Sequence, residues 1–125
     1  MPNWQPNWND VQWNQGAARE ASAALRRAAA RLRDTWSERQ RLAAAACEQW
    51  RGRYRDEFDV ALRGMGATAL NLADLYEQKA NEIDSASRRA EAEQRHRNAE
   101  RERWRREKAD EDRRRREEEE QRRHA

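Results

Sequence analysis

Cysteine, histidine, proline and long apolar runs are all scarce in this 125-residue chain, and each scarcity removes a class of protein. Cys47 is the only cysteine, so no internal disulfide can form and the redox compartment cannot be read from it. In the run Ala43-Ala44-Ala45-Ala46-Cys47 it reads as a small buried apolar residue, with a functional thiol as the alternative. The two histidines, His96 and His124, stand in a charged tail with no further ligand at metal spacing, so no metal site is expected. No stretch nears the roughly 18 apolar residues that a membrane span requires, and Met1–Trp8 lacks the cationic start and apolar block of a Sec signal peptide. A glycine-rich phosphate loop is missing too, because Gly64-Met65-Gly66 falls inside a helical pattern. With no nucleophile, base and orienting group placed to converge in a pocket, neither catalysis nor a cofactor is expected.

Charge is what the chain has in quantity: 41% of residues are charged and only 36% apolar, enough for a thin helical core and not for a thick globular one. Residues 1–87 carry 12 basic and 12 acidic side chains, and residues 88–125 carry 15 and 12, so the net +3 sits wholly in the tail. All but two of the basic residues are arginine, which raises nucleic acid as a partner. The arginine runs are matched by acidic runs one helical turn away, however, whereas a phosphate-binding surface wants an unopposed basic stripe.

Residues 1–8 form an irregular lead-in containing both prolines, Trp4 and Trp8. A first helix is expected from about residue 9 to 48. Asn9 would be its N-cap, Gln12 would complete a capping box, and Trp8 with Trp13 would form a hydrophobic staple; a start near Asn14 is the alternative, because Gly16 weakens the first turn. Ala18, Ala21, Leu25, Ala29, Leu32, Trp36, Ala43, Ala46 and Trp50 then recur with a 3.6-residue period. The period pauses over residues 49–53 and resumes from about 54 as Phe58, Leu62, Met65, Ala69, Leu72, Tyr76, Ala80, Ile83 and Ala90. Two amphipathic helices joined by so short a turn must lie antiparallel for their stripes to face each other. The fold class is therefore all-α, a helix-turn-helix hairpin over residues 9–87.

Helix 2 has more apolar surface than helix 1 can cover, with Val60, Leu70 and Leu75 beside its main stripe, so a partner surface is implied. Leu25, Leu32, Trp36, Phe58, Leu62, Met65, Leu72, Tyr76 and Ile83 are the candidate interface. Gly64 and Gly66 in mid-helix are either a tolerated soft spot or a point of close backbone approach. Residues 88–125 read as an Arg/Glu-rich tail, helical or partly disordered. Its acids precede its arginines at i,i+4, as in Asp110/Arg114, Glu111/Arg115, Asp112/Arg116, Glu118/Arg122 and Glu119/Arg123, which favours a solvated single helix. Trp104 is its one large apolar residue, too little for a coiled-coil seam and enough for a docking point.

The turn carries the most specific signal. Trp50-Arg51-Gly52 lies between two amphipathic helices near the middle of the hairpin, and the glycine suits a stop for helix 1 because it takes positive φ cheaply. Leu42–Phe58 with the following Leu62, Met65, Ala69, Leu72, Tyr76 and Ile83 resembles the WXG100 family, the ESAT-6-like hairpins of type VII (ESX) secretion; the likeness covers roughly residues 9–87. The resemblance implies a four-helix bundle formed with a second hairpin, a copy of this chain or a related one. It also implies export by a Sec-independent type VII route from a cytoplasmic pool, and service as a secretion substrate or as the targeting partner of a larger effector. By the motif, Trp50 and Gly52 carry over as the turn residues. The family's export signal, a Tyr followed after three residues by Asp or Glu, is not matched: Tyr76 is followed at that spacing by Ala80 and Tyr54 by Phe58. The nearest substitute, Ala80-Asn81-Glu82-Ile83-Asp84, has no aromatic, so a partner chain would supply the signal. The readings outside the resemblance are a coiled-coil scaffold or adaptor without export and an Arg-rich nucleic-acid binder.

Overall fold

Residues 1–125 are described by a computed structural model containing two helices, α1 (Gln15–Ala46) and α2 (Arg53–Arg123), and no strand. The chain divides into two compact units: Asn14–Ala86, and Met1–Trp13 together with Ser87–Ala125.

In the first unit α1 and the beginning of α2 pack against each other as a helical hairpin. Helix α1 starts at the later of the two expected positions. Asn14 is the N-cap, its side chain accepting from the Ala17 N–H at 2.9 Å, and neither the Asn9 cap nor the Trp8/Trp13 staple forms. The reason is competition: the backbone of residues 7–11 is held by side chains of residues 94–101 and is not free to wind into a helix.

The shielded positions of α1 are Ala18, Ser22, Leu25, Ala29, Leu32 and Trp36, and those facing them on α2 are Leu62, Gly66, Ala69, Ala73, Tyr76, Ala80 and Ile83. Both sets alternate steps of three and four, the spacing of a coiled-coil seam. Alanine on α1 lets the helices approach closely, and the buried positions of the facing α2 surface are the small residues Gly66, Ala73 and Ala80. The expected α2 stripe holds at Leu62, Ala69, Tyr76, Ala80 and Ile83 and is displaced at two positions, where Met65 and Leu72 lie beside the seam and their small neighbours Gly66 and Ala73 occupy it. A Cβ on Gly66 would fall 2.1 Å from the Trp36 ring, whereas Gly64 faces open space, so close approach explains one glycine and not the other.

The turn corrects the role expected of Gly52. Helix α1 ends at Ala46 with Cys47 as its cap, and the carbonyls of the cap and the turn are met by arginines: Arg55 donates to those of Cys47 and Trp50, and Arg51 to that of Glu48 at 3.0 Å. These guanidinium groups place positive charge at the negative end of the α1 dipole. Gly52, at φ 109°, instead opens α2, its carbonyl accepting from the Asp56 N–H at 3.1 Å.

In the second unit the tail is helical through Arg123, and residues 1–13 lie along it as an extended strap. The strap runs antiparallel to the helix. The Met1 ammonium pairs with Glu111 at 2.6 Å, the Trp4 indole donates to Glu107 at 2.6 Å, and the Trp8 ring meets Trp104 edge-on at 5.3 Å. Further along, the Val11 N–H reaches Gln94 at 2.8 Å and the Trp13 indole reaches Ser87 at 3.0 Å. Among the shielded tail residues of this unit Ser87, Ala90, Gln94, Arg97, Arg101, Trp104, Lys108 and Glu111 again step by three and four, with Glu100, Glu107 and Asp112 partly shielded beside them. In the tail Glu93 pairs with Arg97 at i,i+4, whereas Asp110 and Asp112 pair at i,i+3 with Arg113 and Arg115 and not with the expected Arg114 and Arg116, and Glu111 is taken by the amino terminus.

Candidate functional site

At 100° per residue, the hairpin seam divides each helix into two flanks of different chemistry. One flank is closed by ion pairs across the helices. Arg33 donates to Glu77 at 2.6 Å and Asp74 at 2.7 Å, and Arg26 donates to Asp84 at 2.6 Å and Asn81 at 2.9 Å. The Arg33 hydrogen bond holds the Glu77 carboxyl below its ordinary range, and the bonds to Glu77 and then Asp74 push the guanidinium further up. Since α1 numbers rise as α2 numbers fall through these pairs, they also define the antiparallel register.

The other flank is open and apolar. A groove of about 360 Å³ is lined by Ala28, Arg31, Leu32, Thr35, Arg39, Leu72 and Tyr76, and a smaller one of about 80 Å³ by Leu32, Thr35, Trp36, Arg39, Met65 and Ala69. Phe58 and Met65 extend the apolar strip toward the turn, Met65 with 56% of its surface in solvent. Of the nine interface candidates, then, Leu25, Leu62 and Ile83 serve the hairpin's own seam. Leu32, Trp36 and Tyr76 both belong to that seam and line the grooves. Phe58, Met65 and Leu72 face outward, with Phe58 and Met65 exposed and Leu72 half-buried in the groove wall. Val60, Leu70 and Leu75 are exposed as well.

Trp50 closes the hairpin end. Its ring packs on Phe58 at 5.8 Å with a 46° tilt, and 42% of it remains exposed. No family model, curated protein or solved structure matches the chain. What the arrangement can do is therefore argued from its own groups. Ala80, four residues after Tyr76, is fully buried in the seam and could not be replaced by a carboxylate without parting the helices. Cys47 is buried at the end of α1, with its carbonyl rather than its thiol engaged by Arg55.

Sequence reasoning missed the arginines: Arg26 and Arg33 across the hairpin, Arg51 and Arg55 at the α1 terminus, and Arg97 and Arg101 on the strap. Twenty-five arginines dispersed among acids give no periodic signal, and long side chains reach partners far away in sequence. No helix is long and apolar enough to cross a membrane.

Proposed function

We propose that this chain is a non-enzymatic binding protein whose open hairpin flank pairs with a second hairpin, its own copy or a related chain, to complete a four-helix bundle. The observation that supports this reading is the asymmetry of the hairpin: ion pairs close one flank, while Phe58, Met65 and Leu72 line the other without cover. An apolar strip of this kind, rimmed by Arg31 and Arg39, suits the matching face of another amphipathic helix pair. A role in type VII secretion is the reading we attach to this pairing, and what supports it is the turn, where Gly52 has positive φ and Trp50 offers part of its indole at the hairpin end. The chain then acts as a secretion substrate or as the targeting partner of a larger effector. Its partner supplies the Tyr-and-acid signal, because the buried Ala80 leaves no room for one here.

Light scattering on the full chain at micromolar concentration tests the pairing. A copy or co-purified hairpin should double the mass, and Leu72→Asp, which sets a charge in the groove wall, should give a monomer of unchanged helicity. Export is tested separately in the native host by Trp50→Phe, which should preserve pairing and reduce secretion. A paired Trp50→Phe protein exported at the wild-type rate would leave the turn motif as architecture and favour the scaffold reading.

A further inference from the structure

The shielded face of the tail from Gln94 to Glu111 has one large apolar residue, Trp104; its other members are Gln94, Arg97, Glu100, Arg101, Glu107, Lys108 and Glu111. Such a seam cannot pair with another helix, whose backbone groups are already bonded to each other and whose apolar knobs would meet charge. It can be satisfied by an extended peptide, whose carbonyls and N–H groups are free. The strap is bound in just this way. Arg101 donates to the carbonyls of Asn7 and Asn9 at 2.9 and 2.8 Å, and Arg97 donates to that of Asn9 at 3.0 Å. Gln94 accepts from the Val11 N–H at 2.8 Å and donates to Asp10 at 3.1 Å, and Arg101 completes the set with a 2.9 Å contact to Asp10.

Side chains add selectivity to this backbone reading. The strap repeats a Pro-Asn-Trp unit, Pro2-Asn3-Trp4 and Pro6-Asn7-Trp8, at a four-residue period, and both prolines are buried. Trp4 lies under the Arg103 guanidinium at 4.3 Å with its N–H on Glu107, and Trp8 sets its ring against Trp104 with Arg105 at 5.6 Å. Tryptophan and arginine are the residues that dominate binding surfaces, through large rings and cation–π contact. The match is incomplete at one atom: the buried indole N–H of Trp104 has no acceptor.

We propose that the Gln94–Glu111 face is a binding site for an extended Pro-Asn-Trp peptide, filled in the isolated chain by its own residues 1–13 and able to take the same segment from a second copy. An identical segment brings identical contacts, so exchange between copies alters none of them. The strap can leave without unwinding α1, because the helix has its own cap at Asn14, immediately after Trp13. This site does not depend on pairing through the hairpin flank.

The test uses the full chain and a dye-labelled synthetic peptide of residues 1–13, followed by fluorescence anisotropy. A tethered strap competes at an effective concentration on the order of millimolar, so wild-type chain should bind micromolar peptide weakly. Trp8→Ala in the chain loosens its own strap and should tighten binding of the wild-type peptide at least tenfold. Adding Trp104→Ala, or independently Arg101→Ala, to that chain should abolish the gain, and a peptide carrying Trp8→Ala should not bind. A labelled full-length Leu72→Asp chain that also carries Cys47→Ser and a dye at Gln15→Cys, used in place of the peptide, should keep the same ranking, with the hairpin flank disabled. Equal binding to wild-type and Trp8→Ala chains, or binding indifferent to both Trp104 and Arg101, would overturn the proposal.

Discussion

Two glycines two residues apart should respond to alanine with opposite signs. At Gly66 the added methyl collides with the Trp36 ring, which is itself buried and cannot swing away, so Gly66→Ala should destabilise the hairpin by about 1–3 kcal/mol as an overpacked core does. At Gly64 nothing lies within 4 Å, and Gly64→Ala should stabilise by about 1 kcal/mol through helix propensity alone. Urea denaturation of the two variants measures both. Gly52→Val meets no neighbour either, yet its positive φ penalises a β-branched residue, so its loss of stability would come from the backbone and not from contacts. Asp10 supplies a pH dependence. The Arg101 hydrogen bond, then the one from Gln94, holds its carboxyl below the ordinary range, so its contribution is complete at neutral pH and is lost as acid protonates it in the folded state. The strap should therefore loosen below the usual carboxylate range, seen as movement of the Trp13 indole N–H resonance, whose partner Ser87 carries no charge, and Asp10→Asn should flatten that response.

Among the elements, the two helices and the turn between them were readable from spacing, since apolar residues recur at three and four on both sides of residues 49–53. The same apolar marking is why two positions of the α2 seam were misplaced by one residue, while Leu62, Ala69, Tyr76, Ala80 and Ile83 were placed correctly. Hydrophobicity marks Met65 and Leu72, but close packing selects Gly66 and Ala73, and size is invisible to an apolar pattern. The strap was not legible as an element: its Pro-Asn-Trp unit repeats only twice and follows neither a helix nor a strand period, and the groups that hold it include arginines and a glutamine that resemble any solvated helix face. Beyond Glu111 the tail has only local pairs such as Asp112 with Arg115, so its last turns should fray as salt screens them, while the segment under the strap stays helical. Amide exchange at increasing sodium chloride checks this, with the boundary expected near residue 112.

For the whole molecule, the division into Asn14–Ala86 and a strap-and-tail unit has a direct consequence for truncation. Removing residues 87–125 should leave a folded hairpin that still pairs, because the seam, the ion pairs and the open flank all lie within residues 14–86. Circular dichroism and light scattering measure the two properties, and loss of pairing would put the interface in the tail. The placement of the tryptophans matters in another way. Of six, only Trp36 and Trp104 are buried, one in each unit, and the other four are partly or largely in solvent. The protein thus carries two built-in optical reporters: with Trp104 replaced by phenylalanine, the blue-shifted emission that remains belongs to Trp36 and follows the opening of the hairpin. With Trp36 replaced instead, it belongs to Trp104 and follows release of the strap, so the melting of each unit can be timed without any added label.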